Sequence, residues 1–265
     1  MFNLHLPRFR ALVFLLSLFS AGAALALARA PVAMDEMTSG EIKALIERGS
    51  TSVVLATGGT ERNGPFLVAG KHNLIVKTAA EDIARRLGNA LVAPVLPFTI
   101  NGDFDPPTGH AGHPGTFSLR KETFINVVVD LAFSLRIQGF QEIILLGDSG
   151  PDQEALKAAA DALNSQWAGN GVVVRYVPDY YQAWKEQGAA GGVLATSGIR
   201  EQQDEHHHGV VSASAMLAID PHSVRLPAVI NGVPIRPVHR FQMLGRYMLG
   251  NVVTRTVNAI REQRK

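Results

Sequence analysis

The chain has 265 residues, 46% of them hydrophobic and 18% charged, with 25 Gly, 14 Pro and no cysteine. That composition fits a globular protein with one sizeable core and excludes disordered or collagen-like structure. Without cysteine there is no disulfide, no thiolate metal site and no thiol nucleophile, so any metal would be held by His, Asp, Glu or neutral oxygens. The formal charge of +2 belongs to the first thirty positions, which hold Arg8, Arg10 and Arg29 and no acidic residue. The remainder has 22 Lys and Arg against 23 Asp and Glu, a charge of −1 that gives no nucleic-acid footprint.

In chain order, residues 1–30 read as a secretory signal peptide. Arg8 and Arg10 form a basic start and residues 11–19 an apolar stretch. Ala26-Leu27-Ala28 or Ala28-Arg29-Ala30 supplies small residues for cleavage near positions 26–30. The apolar stretch to residue 28 is nearly long enough to span a bilayer, so an uncleaved anchor is the competing reading. The Ala- and Ser-rich second half favours cleavage. This predicts a periplasmic or secreted protein with no stable membrane span once the leader is removed.

Strand-like and helix-like segments then alternate. Strands are predicted at 52–57 (SVVLAT), 90–95, 142–146 (EIILL) and 171–177 (GVVVRYV). Helices are predicted at 73–87, 119–138, 152–167, 209–217 and 243–261. Apolar strands alternating with helices predict a mainly parallel sheet covered on both faces. With no repeat and no long linker, residues 31–265 form a single domain. Tyr180, Tyr181 and Trp184 fall at helical spacing and read first as packing residues.

Chemistry-bearing residues gather just after the strands, where sites lie in open α/β sheets. The first strand runs into a Gly-rich turn with Glu61 and Asn63, followed by His72 at the start of the next helix. The second runs into a loop with Asp103, Asp105, His110 and His113. The third runs into Gly147-Asp148-Ser149-Gly150. Glu61 and His72 could ligate a divalent metal, but spacing alone favours a solvated loop carboxylate or helix-capping partner and a helix-terminal histidine. Asp148 and Ser149 suit a ligand, base or substrate contact, or a helix cap. The G-x-S-x-G elbow of a serine hydrolase is absent. Asp204-Glu205-His206-His207-His208 is the densest titratable run, and in an extended chain Glu205 and His207 would share a face.

Four segments, taken together, resemble the creatininase (creatinine amidohydrolase) family. The signature G-S-T-E-Q-H-G-P-H-L-P-L-G-T-D is similar to the stretch from Gly59-Thr60-Glu61-Arg62-Asn63 to Gly70-Lys71-His72-Asn73. F-P-G-T-x-S-L resembles His113-Pro114-Gly115-Thr116-Phe117-Ser118-Leu119. N-G-H-G-G-N-Q resembles the turn from Gly147 to Gln153, and H-A-G-x-x-E-T-S resembles the run from His207 to Ser214. The resemblance implies a three-layer α/β/α sandwich, a homo-oligomer and metal-dependent hydrolysis of an amide C–N bond in a small molecule. It also marks departures. Glu61 keeps a family metal carboxylate, but Asn63 and Ser149 replace histidines, His72 replaces a bridging Asp and Ser212 an acidic residue. With its GKHN and GDSG motifs the chain looks like a divergent branch.

The expectation that follows is a hydrolase with one divalent ion per subunit, Zn or Mn. Glu61 and His72 would be ligands and Asp148 a third ligand or an orienting carboxylate. His207 would donate a proton to the leaving nitrogen or stabilise the tetrahedral intermediate, with Glu205 orienting it. Asn63, Ser149, His110 and His113 would line the substrate, and His72 would sit at a sheet-edge loop outside the core. The alternative is a catalytically degenerate protein that binds a small ligand in the same pocket.

Overall fold

A computed structural model of the chain describes residues 31–202 and 209–265. The expected leader and the catalytic pair Glu205 and His207 therefore lie outside the described residues. Four parallel strands form the central sheet: β1 (Ser52–Thr57), β2 (Ala90–Val92), β3 (Glu142–Gly147) and β4 (Val173–Tyr176). Their order is β2-β1-β3-β4. β1 and β3 pair along their whole length, Ser52 opposite Glu142 and Thr57 opposite Gly147. Every residue of both strands is buried. This is why they read as unbroken apolar runs rather than alternating ones.

Helices cover both faces: α1 (Ser39–Glu47), α2 (Lys71–Leu87), α3 (Lys121–Ile137), α4 (Asp152–Gln166), α5 (Asp179–Gly188), the short α6 (Val193–Thr196), α7 (Val210–Ile219) and α8 (Val238–Gln263). On one face Val53, Leu55, Ile143 and Leu145 pack with Phe124 and Val128 of α3 and Leu156 and Leu163 of α4. On the other, Val54, Ala56, Ile144 and Leu146 pack with Val76 and Ile83 of α2, Tyr180 of α5 and Val253 and Ile260 of α8. The result is the expected three-layer α/β/α arrangement. A third cluster joins Ile75 of α2, Met216 of α7 and Phe241 of α8. It also holds Ile230 and Val233 of a small hairpin, β5 (Val229–Ile230) and β6 (Val233–Pro234).

Two contacts fix how these layers meet. α7 crosses α8 so closely that a Cβ on Gly245 would lie 1.9 Å from the Ser214 carbonyl oxygen. At the bottom of the sheet Glu142 accepts hydrogen bonds from Ser52, Arg175 and Arg264, which ties the end of α8 to β1, β3 and β4. Among the described residues no helix is long and apolar enough to cross a membrane.

Candidate active site

The strand order reverses between β1 and β3, and the crevice of such a sheet opens there beyond the strand ends. The turn after β1 is shaped by the first turn of α2. A Cβ on Gly58 would lie 2.1 Å from Asn73 Oδ1 and 2.8 Å from Asn73 Cα, so only glycine lets strand and helix approach this closely. Asn73 Oδ1 accepts the Gly59 N–H at 2.9 Å, and its Nδ2 donates to Thr60 Oγ1 at 3.0 Å. This latch turns the chain so that Glu61 points inward, 4% exposed.

His72, the second residue of α2, lies between two carboxylates. Its Nδ1 is 2.6 Å from Asp148 Oδ2 and its Nε2 is 3.0 Å from Glu61 Oε1. A neutral imidazole has one donor and one acceptor, so only the imidazolium donates to both. Burial and the neighbouring Lys71 charge pull the His72 pKa down. The hydrogen bonds to Asp148 and Glu61 and the Asp148 charge outweigh them, and the pKa is raised. Burial pushes Glu61 up, but the His72 hydrogen bond and the charges of His72, Lys71 and His110 hold it at about 2. The remaining Asp148 oxygen accepts the Tyr180 hydroxyl at 2.6 Å.

Lys71, beside His72, is only 2% exposed. Burial lowers its ammonium to about 8 against the attraction of Glu61 and Asp148. Beneath the site Asp152, fully buried at the start of α4, accepts the Ile100 N–H at 3.1 Å and the Thr57 hydroxyl at 3.3 Å. Burial drives its carboxyl up to about 7 despite those two bonds. Above these groups lies a cavity of about 1250 Å³. Glu61, Lys71, His72, His110, Asp148 and Ser149 are among the residues that line it.

Several sequence-predicted site residues thus converge, and two do not. Asn63 is buried but does not line the cavity; its Nδ2 donates to the carbonyls of Glu61, Val68 and Ala69, making it a backbone latch. His113 is also outside the lining, with its ring 6.4 Å from that of His110. His72 belongs to the first turn of α2, not to a sheet-edge loop, because the close approach of Gly58 and Asn73 holds that turn against the end of β1. The sequence alone assigns no role to Lys71 or Asp152 and reads Tyr180 as packing. The signal for Lys71 was present, since it stands where the family signature has Thr.

The donor set does not fit a divalent ion. A metal needs a ring-nitrogen lone pair, and both nitrogens of His72 are already engaged by carboxylate oxygens at 2.6 and 3.0 Å. Both oxygens of Asp148 are also engaged, and a buried ammonium stands beside the cluster. Among the described residues no group of three or more His, Asp or Glu is arranged to hold a metal ion. In this arrangement, the expected ligand set of Glu61, His72 and Asp148 is an ion-paired cluster rather than a coordination sphere.

A parallel sheet with a polar cavity at its switch point defines an α/β enzyme-like protein, and comparison with known proteins identifies its kind. The creatininase (creatinine amidohydrolase) family model matches residues 35–257, and the chain belongs to that family. It is similar to creatinine amidohydrolase of Pseudomonas putida, 26% identical over 206 residues that cover 77% of each chain. It is also similar to 3-dehydro-scyllo-inosose hydrolase of Thermotoga maritima, 28% identical over 100 residues. That second match covers 38% of this chain and only 30% of the relative. Among solved structures, "Creatininase Mn" superposes with a TM-score of 0.65 at 24% identity, covering 88% of this chain and 99% of the other. A creatininase variant of "Zn-Zn type" gives 0.65 at 23% identity, covering 88% and 98%. A creatininase variant complexed with creatine gives 0.62 at 24%, covering 88% and 99%.

Proposed function

We propose that this chain is an exported hydrolase that cleaves an amide C–N bond of a small molecule in the cavity over β1 and β3. The observation that carries the reading is the buried Glu61–His72–Asp148 cluster at the cavity floor, in a chain of the creatininase family. The relatives described as amidohydrolase and hydrolase support the reaction class, and the creatine complex of a solved neighbour supports a small polar substrate. The manganese and Zn-Zn neighbours support a divalent ion as family chemistry. The side chains of this chain do not fit one, so the reaction is written with the groups present.

The Lys71 ammonium polarises the amide carbonyl and stabilises the oxyanion that forms when water adds to its carbon, while His72 stays bound between Glu61 and Asp148. His207, oriented by Glu205, takes the proton from the attacking water and returns it to the nitrogen as the C–N bond breaks. Gly209, which follows this segment directly, lines the cavity and supports that assignment. Ser149 and His110 contact the substrate. A secretory leader over residues 1–30 supports a periplasmic or secreted location, and homo-oligomers are proposed from the family. The test is an assay of small cyclic and linear amides with wild type and His207→Ala. Removing a general acid–base group is expected to lower kcat by about 10²–10⁴-fold. Unchanged turnover in the variant would remove His207 from the mechanism.

A further inference from the structure

In the family signature the segment equivalent to Gly70-Lys71-His72 reads G-T-D. Here a neutral position carries an ammonium, and an anionic one carries an imidazole whose two nitrogens each contact a carboxylate oxygen. At the same site two signature histidines are replaced by Asn63 and Ser149, which are poor metal donors. Donors suited to a metal are thus lost from the turns after β1 and β3, and side-chain cations are gained on the helix between them. Loss of ligands alone would leave Glu61 and Asp148 as buried, uncompensated carboxylates, which is strongly destabilising. Their burial is instead balanced. His72 bridges them at 3.0 and 2.6 Å, Tyr180 donates to the free oxygen of Asp148, and Lys71 attracts both carboxylates from a position that is 2% exposed.

We propose that Lys71 and His72 form a built-in pair of cations that takes the electrostatic place of divalent metal between Glu61 and Asp148, so that the centre is complete without a metal ion. This deepens the proposed function by naming what replaces the metal, and it is tested without turnover. Both cations are carried on the first turn of α2, which Asn73 and Gly58 hold against the end of β1, so the charge is delivered by a rigid element.

The experiment is elemental analysis of the full chain produced in medium containing Zn²⁺ and Mn²⁺, combined with thermal melts in Zn²⁺, Mn²⁺ or EDTA. Wild type is expected to carry far less than one equivalent of either metal and to melt at the same temperature in all three. The double substitution Lys71→Thr with His72→Asp restores the signature residues and leaves three carboxylates without their cations. It is expected to melt lower than wild type and to regain stability when Zn²⁺ or Mn²⁺ is added. Lys71→Met, which keeps length but not charge, provides a milder second variant and is expected to lower the melting temperature without conferring a metal response. One tightly held equivalent in wild type, with a melting temperature that falls in EDTA, would overturn the proposal. So would a double variant as stable as wild type and indifferent to metal. An inactive wild type that is metal-free and EDTA-insensitive would count against the proposed reaction and leave the charge replacement standing.

Discussion

At the scale of single residues, the site is a chain of compensated burials, and Asp152 is its least compensated member. Its carboxyl is driven up to about 7 by burial, so between its ordinary 3.8 and that value the folded protein binds a proton that the unfolded chain has released. Stability from this group therefore falls as pH rises from about 4 to 7. The family turn has Asn at this position, and an amide there donates to Thr57 while accepting from Ile100. Asp152→Asn is expected to flatten the pH dependence of the melting temperature across that window and to raise it at pH 7, as a melt series would show. An unchanged slope would mean that Asp152 does not titrate there. Glu61 and His72 act in opposite directions. The Glu61 contribution is present above 4.5 and is lost as pH falls through about 2. The His72 contribution is present below 6.5 and is lost as pH rises through its raised pKa.

The residue scale is also where the sequence was least informative. Glu61, His72 and Asp148 could be singled out because carboxylate and imidazole types after strands carry chemistry. Their partners could not, because the 2.6 Å approach of His72 to Asp148 joins residues 76 positions apart. The residue type of Asn63 points to a substrate contact. Its three backbone carbonyl partners become visible only once the turn of residues 61–69 is closed.

Among the secondary-structure elements, those with strong periodicity were legible and those marked only by their ends were not. β1 is found where the apolar run predicts it. β2 stops at Val92 rather than 95, two residues before Pro94, which has no N–H to give a ladder. α8 begins at Val238, five residues before the predicted start, because Pro237 is its N-cap and the early turns expose residues such as Met243. α1 is absent from the predicted elements, although Thr38 and Glu41 form a capping box in which the Thr38 N–H donates to Glu41 Oε2 at 2.8 Å. The α7–α8 crossing was not legible because its contact is between a glycine and a backbone carbonyl. Gly245→Ala forces those helices apart and is expected to cost about 1–3 kcal/mol of unfolding free energy, as overpacking does. Urea denaturation checks this, and a neutral substitution would mean that the crossing yields without cost.

For the molecule as a whole, the alternation of apolar strands and helices was enough to predict the three layers. The order β2-β1-β3-β4 follows from pairing that no local pattern encodes, yet it brings the turns after β1 and β3 together. Family membership supplies the reaction class, and the departures at Asn63, Lys71, His72 and Ser149 supply what is particular to this chain. The most direct measurement is turnover of small amides by protein stripped with chelator and verified free of metal. The account predicts amide hydrolysis that is undiminished by the chelator and lost in Lys71→Met. Hydrolysis that appears only when Zn²⁺ or Mn²⁺ is restored, or stabilisation by an amide with no turnover at all, would contradict it.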